Sequence, residues 1–130
     1  MDTIFSKIIR GEIPATKVYE DDESLAFLDI HPVAKGHTLL IPKEPHVWMQ
    51  DVPDELLASL FIKTKKLMTA IKSGLECDYV QISVVGKDVP HFHIHLIPRY
   101  FDDGLPSFPT LSYDENEMDA IATQIKKALA

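Results

Sequence analysis

Cysteine is almost missing from this chain of 130 residues: Cys77 is the only one, which excludes an intramolecular disulfide and a metal centre built on several thiolates. Glu76 and Asp78 flank it, and their carboxylates oppose the thiolate that a cysteine nucleophile needs. Long apolar runs are missing too. Charge or proline interrupts each hydrophobic stretch before the ~20 residues needed to cross a bilayer, so no membrane helix is expected. The first residues, Met1-Asp2-Thr3-Ile4-Phe5-Ser6-Lys7, lack the basic region and apolar stretch of a secretory signal, and a reducing cytoplasm is the expected compartment. Positive charge is in the minority. With 13 Lys and Arg against 20 Asp and Glu, the net charge of -7 opposes nucleic acid and anionic membranes as partners. A small anionic ligand stays open wherever cations gather locally.

What is present is ordinary for a globular protein, 45% hydrophobic and 25% charged, and residues 1–130 are read as one domain. Helical spacing from Thr3 to Arg10 ahead of Gly11 predicts a short first helix. Strands are expected at Lys17–Glu20, Ser24–Ile30, Thr38–Pro42, Tyr79–Val85 and Phe92–Ile97. The last two form a hairpin around Gly86-Lys87-Asp88. From Pro53 to Ser73, the stripe Leu56, Leu57, Leu60, Phe61, Thr64, Leu67, Met68 and Ile71 predicts the longest helix, stopped by Gly74. Asp114-Glu115-Asn116-Glu117 reads as the capped start of a final helix whose buried stripe is Met118, Ile121, Ala122, Ile125 and Leu129.

The chemistry concentrates in His91-Phe92-His93-Ile94-His95. In an extended strand, alternate side chains share a face, so the three imidazoles line one side and the apolar residues the other. An unperturbed pKa near ~6.5 lets one ring stay neutral for attack while a neighbour donates. Taken alone, the row suits a metal ion held by His91, His93 and His95 as well as it suits nucleophilic or acid-base catalysis. His37, between Gly36 and a strand, reads by itself as a packed or capping residue. Gly86-Lys87-Asp88 offers turn N–H groups and an ammonium to an anion.

Further segments make a pattern: Thr3-Ile4-Phe5, Glu12-Ile13-Pro14, Leu25-Ala26-Phe27-Leu28-Asp29-Ile30 and Gly36-His37-Thr38-Leu39-Leu40-Ile41-Pro42-Lys43. Together with the histidine row, this ordered set resembles the histidine triad (HIT) family, in its Hint-like branch of nucleotide hydrolases and transferases. The resemblance implies an α+β fold, with an antiparallel sheet of about five strands, a long central helix and a C-terminal helix. It also implies a homodimer whose sheets join, with the central helix and C-terminal segment as contact surfaces.

By the same resemblance, His93 attacks the α-phosphorus of a purine nucleoside phosphoramidate or related nucleotide. A nucleotidyl-histidine forms, and water then releases the monophosphate. His95 and His37 contact or polarise phosphate oxygens, and His91 supports the orientation of the nucleophile. Asp29 accepts from ribose hydroxyls. Ile4, Phe5, Ile8, Phe27, Leu28, Ile30 and Leu39 surround the base, with a plain core role as the alternative for each. Gly86, Lys87 and Asp88 cradle the phosphate or leaving group.

The sequence departs from the pattern in two places. Lysine stands at 87 where glutamine is common, in a shorter turn, and Ser83 stands near a usual asparagine, so leaving-group contacts differ. Some relatives hold a structural zinc with a cysteine pair, but the matching positions are Thr3 and Ser6. With His46 and His91 alone, no zinc and no other cofactor is expected. The competing readings are a diadenosine polyphosphate hydrolase, for which Lys87 and Arg99 are available, a silent nucleotide binder, and a metal-binding protein.

Overall fold

The computed structural model describes residues 2–129. Helix α1 (Ile4–Ile9) opens with a capping box: Thr3 Oγ1 accepts from the Ser6 N–H, and the Ser6 hydroxyl accepts from the Thr3 N–H. Strands β1 (Lys17–Glu20), β2 (Ser24–Leu28) and β3 (Thr38–Pro42) follow, then α2 (Asp54–Leu75), β4 (Tyr79–Ser83), β5 (Ile94–Arg99) and α3 (Glu117–Leu129). The five strands make one antiparallel sheet in the order β1-β2-β3-β5-β4. No helix among the described residues is long and apolar enough to cross a membrane.

The alternation of the strands divides the core between the two faces of the sheet. Ala26, Leu40, Val80, Ile94 and Leu96 pack with Leu60, Leu67 and Ile71 of α2. Leu25, Phe27, Leu39 and Ile41 point the other way, onto Phe5 and Ile8 of α1. Central strands buried on both sides read as unbroken apolar runs, which is why β2 and β3 stand out in the sequence.

Several boundaries need correction. β2 ends at Leu28 rather than Ile30, and β4 at Ser83 rather than Val85. β5 begins only at Ile94, because the N–H groups of His91 and Phe92 bond to Val89 and His46 instead of to a strand. The predicted tight hairpin is therefore an antiparallel pair joined by a long loop, with Ser83 opposite His95. Helix α2 runs through Gly74 and stops at Glu76, whose φ of 55° is left-handed, as Cys77 turns into the core.

The largest difference is α3. Its start forms only half of the expected capping box: the Glu117 carboxylate accepts from the Asp114 N–H at 2.9 Å, but the Glu117 N–H donates to the Asp114 carbonyl, not its side chain, and the helix begins at Glu117 after a left-handed Asn116. Its expected stripe is not buried, and no residue of α3 is. Phe108 and Leu111 ahead of it are also exposed. The periodicity identifies an amphipathic helix but not the surface that covers it.

Candidate active site

β3 and β5 lie side by side in the sheet, with Leu39 opposite His95. Entry into β3 needs glycine: Gly36 has a φ of +100°, and a Cβ there would stand 2.4 Å from Leu75 and 3.2 Å from Pro98. This close approach seats His37 beside β5. Its backbone N–H donates to Ala34 and its carbonyl accepts from the Asp29 N–H, both at 2.9 Å. The loop after β2 is thereby tied to the entry of β3.

A cavity of about 450 Å³ opens between α1 and the sheet. Of the expected residues, Ile4, Phe5, Ile8, Phe27, Leu28, Asp29, Ile30, Leu39, Asp88, His93 and His95 line it. Phe5, Ile8, Phe27 and Leu39 are at once buried core and cavity wall, so the two roles coincide. His37 and His91 stand behind the wall. Ser83 is on the edge strand, accepting from Gln81 at 3.2 Å, and Gly86 and Lys87 lie outside the lining, Lys87 exposed. The sequence reading missed Ile13, Pro14, Ala15, His31 and Val89 as lining residues. The Glu12-Ile13-Pro14 motif contained a signal for two of them, and His31 and Val89 adjoin motif residues.

The imidazoles are oriented by their partners. His93 Nδ1 lies 2.7 Å from the His91 carbonyl, which only accepts, so Nδ1 carries the proton and Nε2 keeps its lone pair. Phe5 meets the His93 ring edge-on at 5.0 Å between centroids and the His91 ring at 6.0 Å, and His95 is 4.8 Å from His93. The expected row thus shares one face, but His91 turns aside: its Nε2–H donates to the Pro42 carbonyl at 2.7 Å. Its buried Nδ1 has no partner among the described residues.

A second chain of bonds fixes His95. The Val33 N–H donates to His37 Nδ1 at 3.1 Å, leaving the proton of a neutral His37 on Nε2. That atom is 2.9 Å from His95 Nδ1, which must accept, so the proton of His95 sits on Nε2. Burial keeps both rings neutral: it pushes His37 below its ordinary value, and it pushes His95 down to about 4, helped by His93 and His37 nearby. His91 is lowered as well, again mainly by burial. Asp29 anchors one oxygen on the His31 N–H at 2.9 Å and holds the other 3.8 Å from His37 Nε2.

These shifts set a pH dependence. The unfolded chain protonates its histidines near their ordinary value of about 6.5, whereas folded His95 resists to about 4. Between those values the unfolded state binds more protons, so stability is complete above pH ~6.5 and falls on acidification. His95 alone accounts for roughly 2–3 kcal/mol of that fall. Melting temperatures at pH 7 and 4.5 should drop less in His95→Asn than in the wild type. Equal drops would refute the assignment.

The residues present do not fit a metal. Asp29, His37 and His95 bring ligand atoms within 4.8 Å of one another, but a cation on His37 Nε2 would displace its proton and move it to Nδ1, against the Val33 N–H. At Thr3 and Ser6, where the resemblance would set a cysteine pair, the hydroxyls are 3.3 Å apart within their capping box. His46 is bonded to Glu44 and His91 to Pro42. Two hydroxyls and two engaged imidazoles are poor zinc donors.

A sheet carrying oriented imidazoles above a cavity with an anchored carboxylate is the arrangement of a histidine triad protein. The HIT domain family model matches residues 10–102, and the chain belongs to the HIT family. An uncharacterized HIT-like protein of Methanocaldococcus jannaschii is 47% identical over 106 residues, covering 78% of this chain and 81% of the relative. An adenosine 5'-monophosphoramidase of Schizosaccharomyces pombe is 37% identical over 138 residues, 99% of each chain. Among solved structures, a HIT family member from Bacillus subtilis matches with a TM-score of 0.87 and 38% identity over 100% of this chain and 99% of that one.

Proposed function

We propose that this HIT family hydrolase cleaves purine nucleoside phosphoramidates, or related nucleotides with a modified α-phosphate, through a nucleotidyl-His93 intermediate. The bond from His93 Nδ1 to the His91 carbonyl supports this most directly. It aims a lone pair from Nε2 and supplies an acceptor that tightens as the ring gains charge. The Nε2 lone pair forms a bond to phosphorus. The phosphorus–nitrogen bond breaks with its electron pair, and the amine leaves with a proton from solvent. Water then adds to phosphorus and releases its proton, and the pair of the N–P bond returns to Nε2. The Nε2–H of His95 donates to a phosphoryl oxygen as charge builds.

In this reading the apolar walls take the base and Asp29 takes the ribose hydroxyls. Hydrolysis of adenosine phosphoramidate to AMP is the direct test, and a wild type without turnover would sink the reading. Asp29→Ala should raise KM about tenfold or more, since hydrogen bonds to a charged acceptor are lost, with a smaller change in kcat. An unchanged KM would remove Asp29 from the ribose site.

We also propose a homodimer in a reducing cytoplasm. The uncovered stripe of α3 and the outer position of β4 in the sheet support the first; the free, buried Cys77 suits the second. Sedimentation of a single 14.7 kDa species would overturn the dimer.

A further inference from the structure

The phosphate turn is held from outside the cavity by a residue that belongs to no motif. Gly86 has a φ of +81°, and a Cβ placed on it would lie 2.9 Å from Cζ3 and 3.1 Å from Cε3 of Trp48. The indole, the only one in the chain, therefore rests against the backbone of the turn, although it is 46% exposed. Trp48 is itself placed by a 3-10 turn, Met49–Asp51, in which its carbonyl accepts from the Asp51 N–H at 3.0 Å, and Val52 beyond is in the core.

Two further bonds join the same stretches of chain. The His46 carbonyl accepts from the Phe92 N–H at 2.6 Å, and the Pro42 carbonyl accepts from His91 Nε2 at 2.7 Å. The connection from β3 to α2 thus grips the loop at both ends, by backbone beside His93 and by an aromatic ring at Gly86. Asp88 and Val89, between the two grips, line the cavity.

We propose that Trp48 is a positioning residue that sets the height of the Gly86-Lys87-Asp88 turn over His93 and His95, and with it the leaving groups the site accepts. This role rests on the nucleotide reading above. Glycine lets the flat ring approach to contact, and the ring in turn stops the turn from sinking away from the phosphate. Without the indole, the turn N–H groups and Lys87 lose their fixed distance from phosphorus. A displacement of ~1 Å at a reacting centre is worth up to ~10²-fold in rate. Trp48 does not line the cavity, so the walls that take base and ribose are left in place and affinity for the monophosphate falls less than the rate.

The test is a double-mutant cycle in the full chain with Trp48→Ala and Gly86→Ala. Its readouts are kcat and KM on adenosine phosphoramidate and on diadenosine tetraphosphate, with AMP affinity and melting temperature alongside. Trp48→Ala should lower kcat/KM about tenfold or more, unequally on the two substrates, while AMP affinity falls by a smaller factor. Gly86→Ala should lose more, and the double variant should be more active than Gly86→Ala alone, because the added methyl no longer meets the ring. Trp48→Phe should keep most of the activity, and Trp48→Leu, which also removes the flat ring, replaces the alanine variant if that one fails to fold. Additive losses, or Trp48→Ala losing the same factor on both substrates, would overturn the role while leaving the function reading in place. A wild type inactive on both substrates would remove the function reading and this role with it.

Discussion

Replacing His93 by alanine should reduce turnover of adenosine phosphoramidate by at least about 10³-fold, while AMP still binds within a few-fold of the wild type. Of the two triad imidazoles that line the cavity, it is the one whose own partner leaves a free lone pair in the neutral ring: Nδ1–H is committed to the His91 carbonyl, and Nε2 is left bare. In the proposed reading binding rests instead on the apolar walls and Asp29, which the substitution does not touch. Steady-state rates and AMP titration would check both halves, and mass spectrometry of quenched wild-type reactions should show the added nucleotidyl group. Turnover in the variant within tenfold of the wild type would end the nucleophile assignment.

Its neighbour should behave in the opposite way. Phe92 is 1% exposed and packs with Ile94, Leu96, Leu40 and residues of α2, so Phe92→Ala should cost about 3–5 kcal/mol. That is a large part of the ~5–15 kcal/mol by which such domains are stable, and the melting temperature should fall by at least about 10 °C. Thermal unfolding checks the loss. At low temperature the folded fraction should turn over substrate at a rate within a few-fold of the wild type. A drop of only a few degrees would mean that Phe92 is not a keystone of that side of the sheet.

These adjacent residues show why so much of the site was legible. Alternation puts Phe92 and Ile94 on the α2 side and the imidazoles on the α1 side, a relation that any extended segment enforces whether or not it is paired. The row was read correctly as one face although β5 starts only at Ile94. Strand ends were less legible, because Val84 and Val85 look like strand residues while pairing stops at Ser83. In the same register their partners would be Ile94 and His93, where β5 is only beginning. The stop of α2 was misjudged for a related reason: Gly74 permits an end, but burial of Cys77 decides where the chain turns.

What could not be read were contacts made by backbone across the fold. The orientation of His95 depends on an amide four residues from His37, and the turn at Gly86 lies against a ring, Trp48, far from it in sequence. Neither leaves a periodic signature. Likewise, the α3 pattern was sound as a pattern, and its covering surface is not encoded in spacing.

The bond from Val33 to His37 carries a consequence for substrate choice. A backbone amide cannot pass a proton onward, so the imidazole pair ends in a closed terminus, and a neutral His95 that gave its proton away would be left as an imidazolate. In the proposed reaction the pair is therefore electrophilic without being acidic: it would ease charge onto a phosphoryl oxygen but supply no proton to the departing atom. A leaving group would then have to be competent on its own, through a basic nitrogen that solvent protonates or an anion that is already stable.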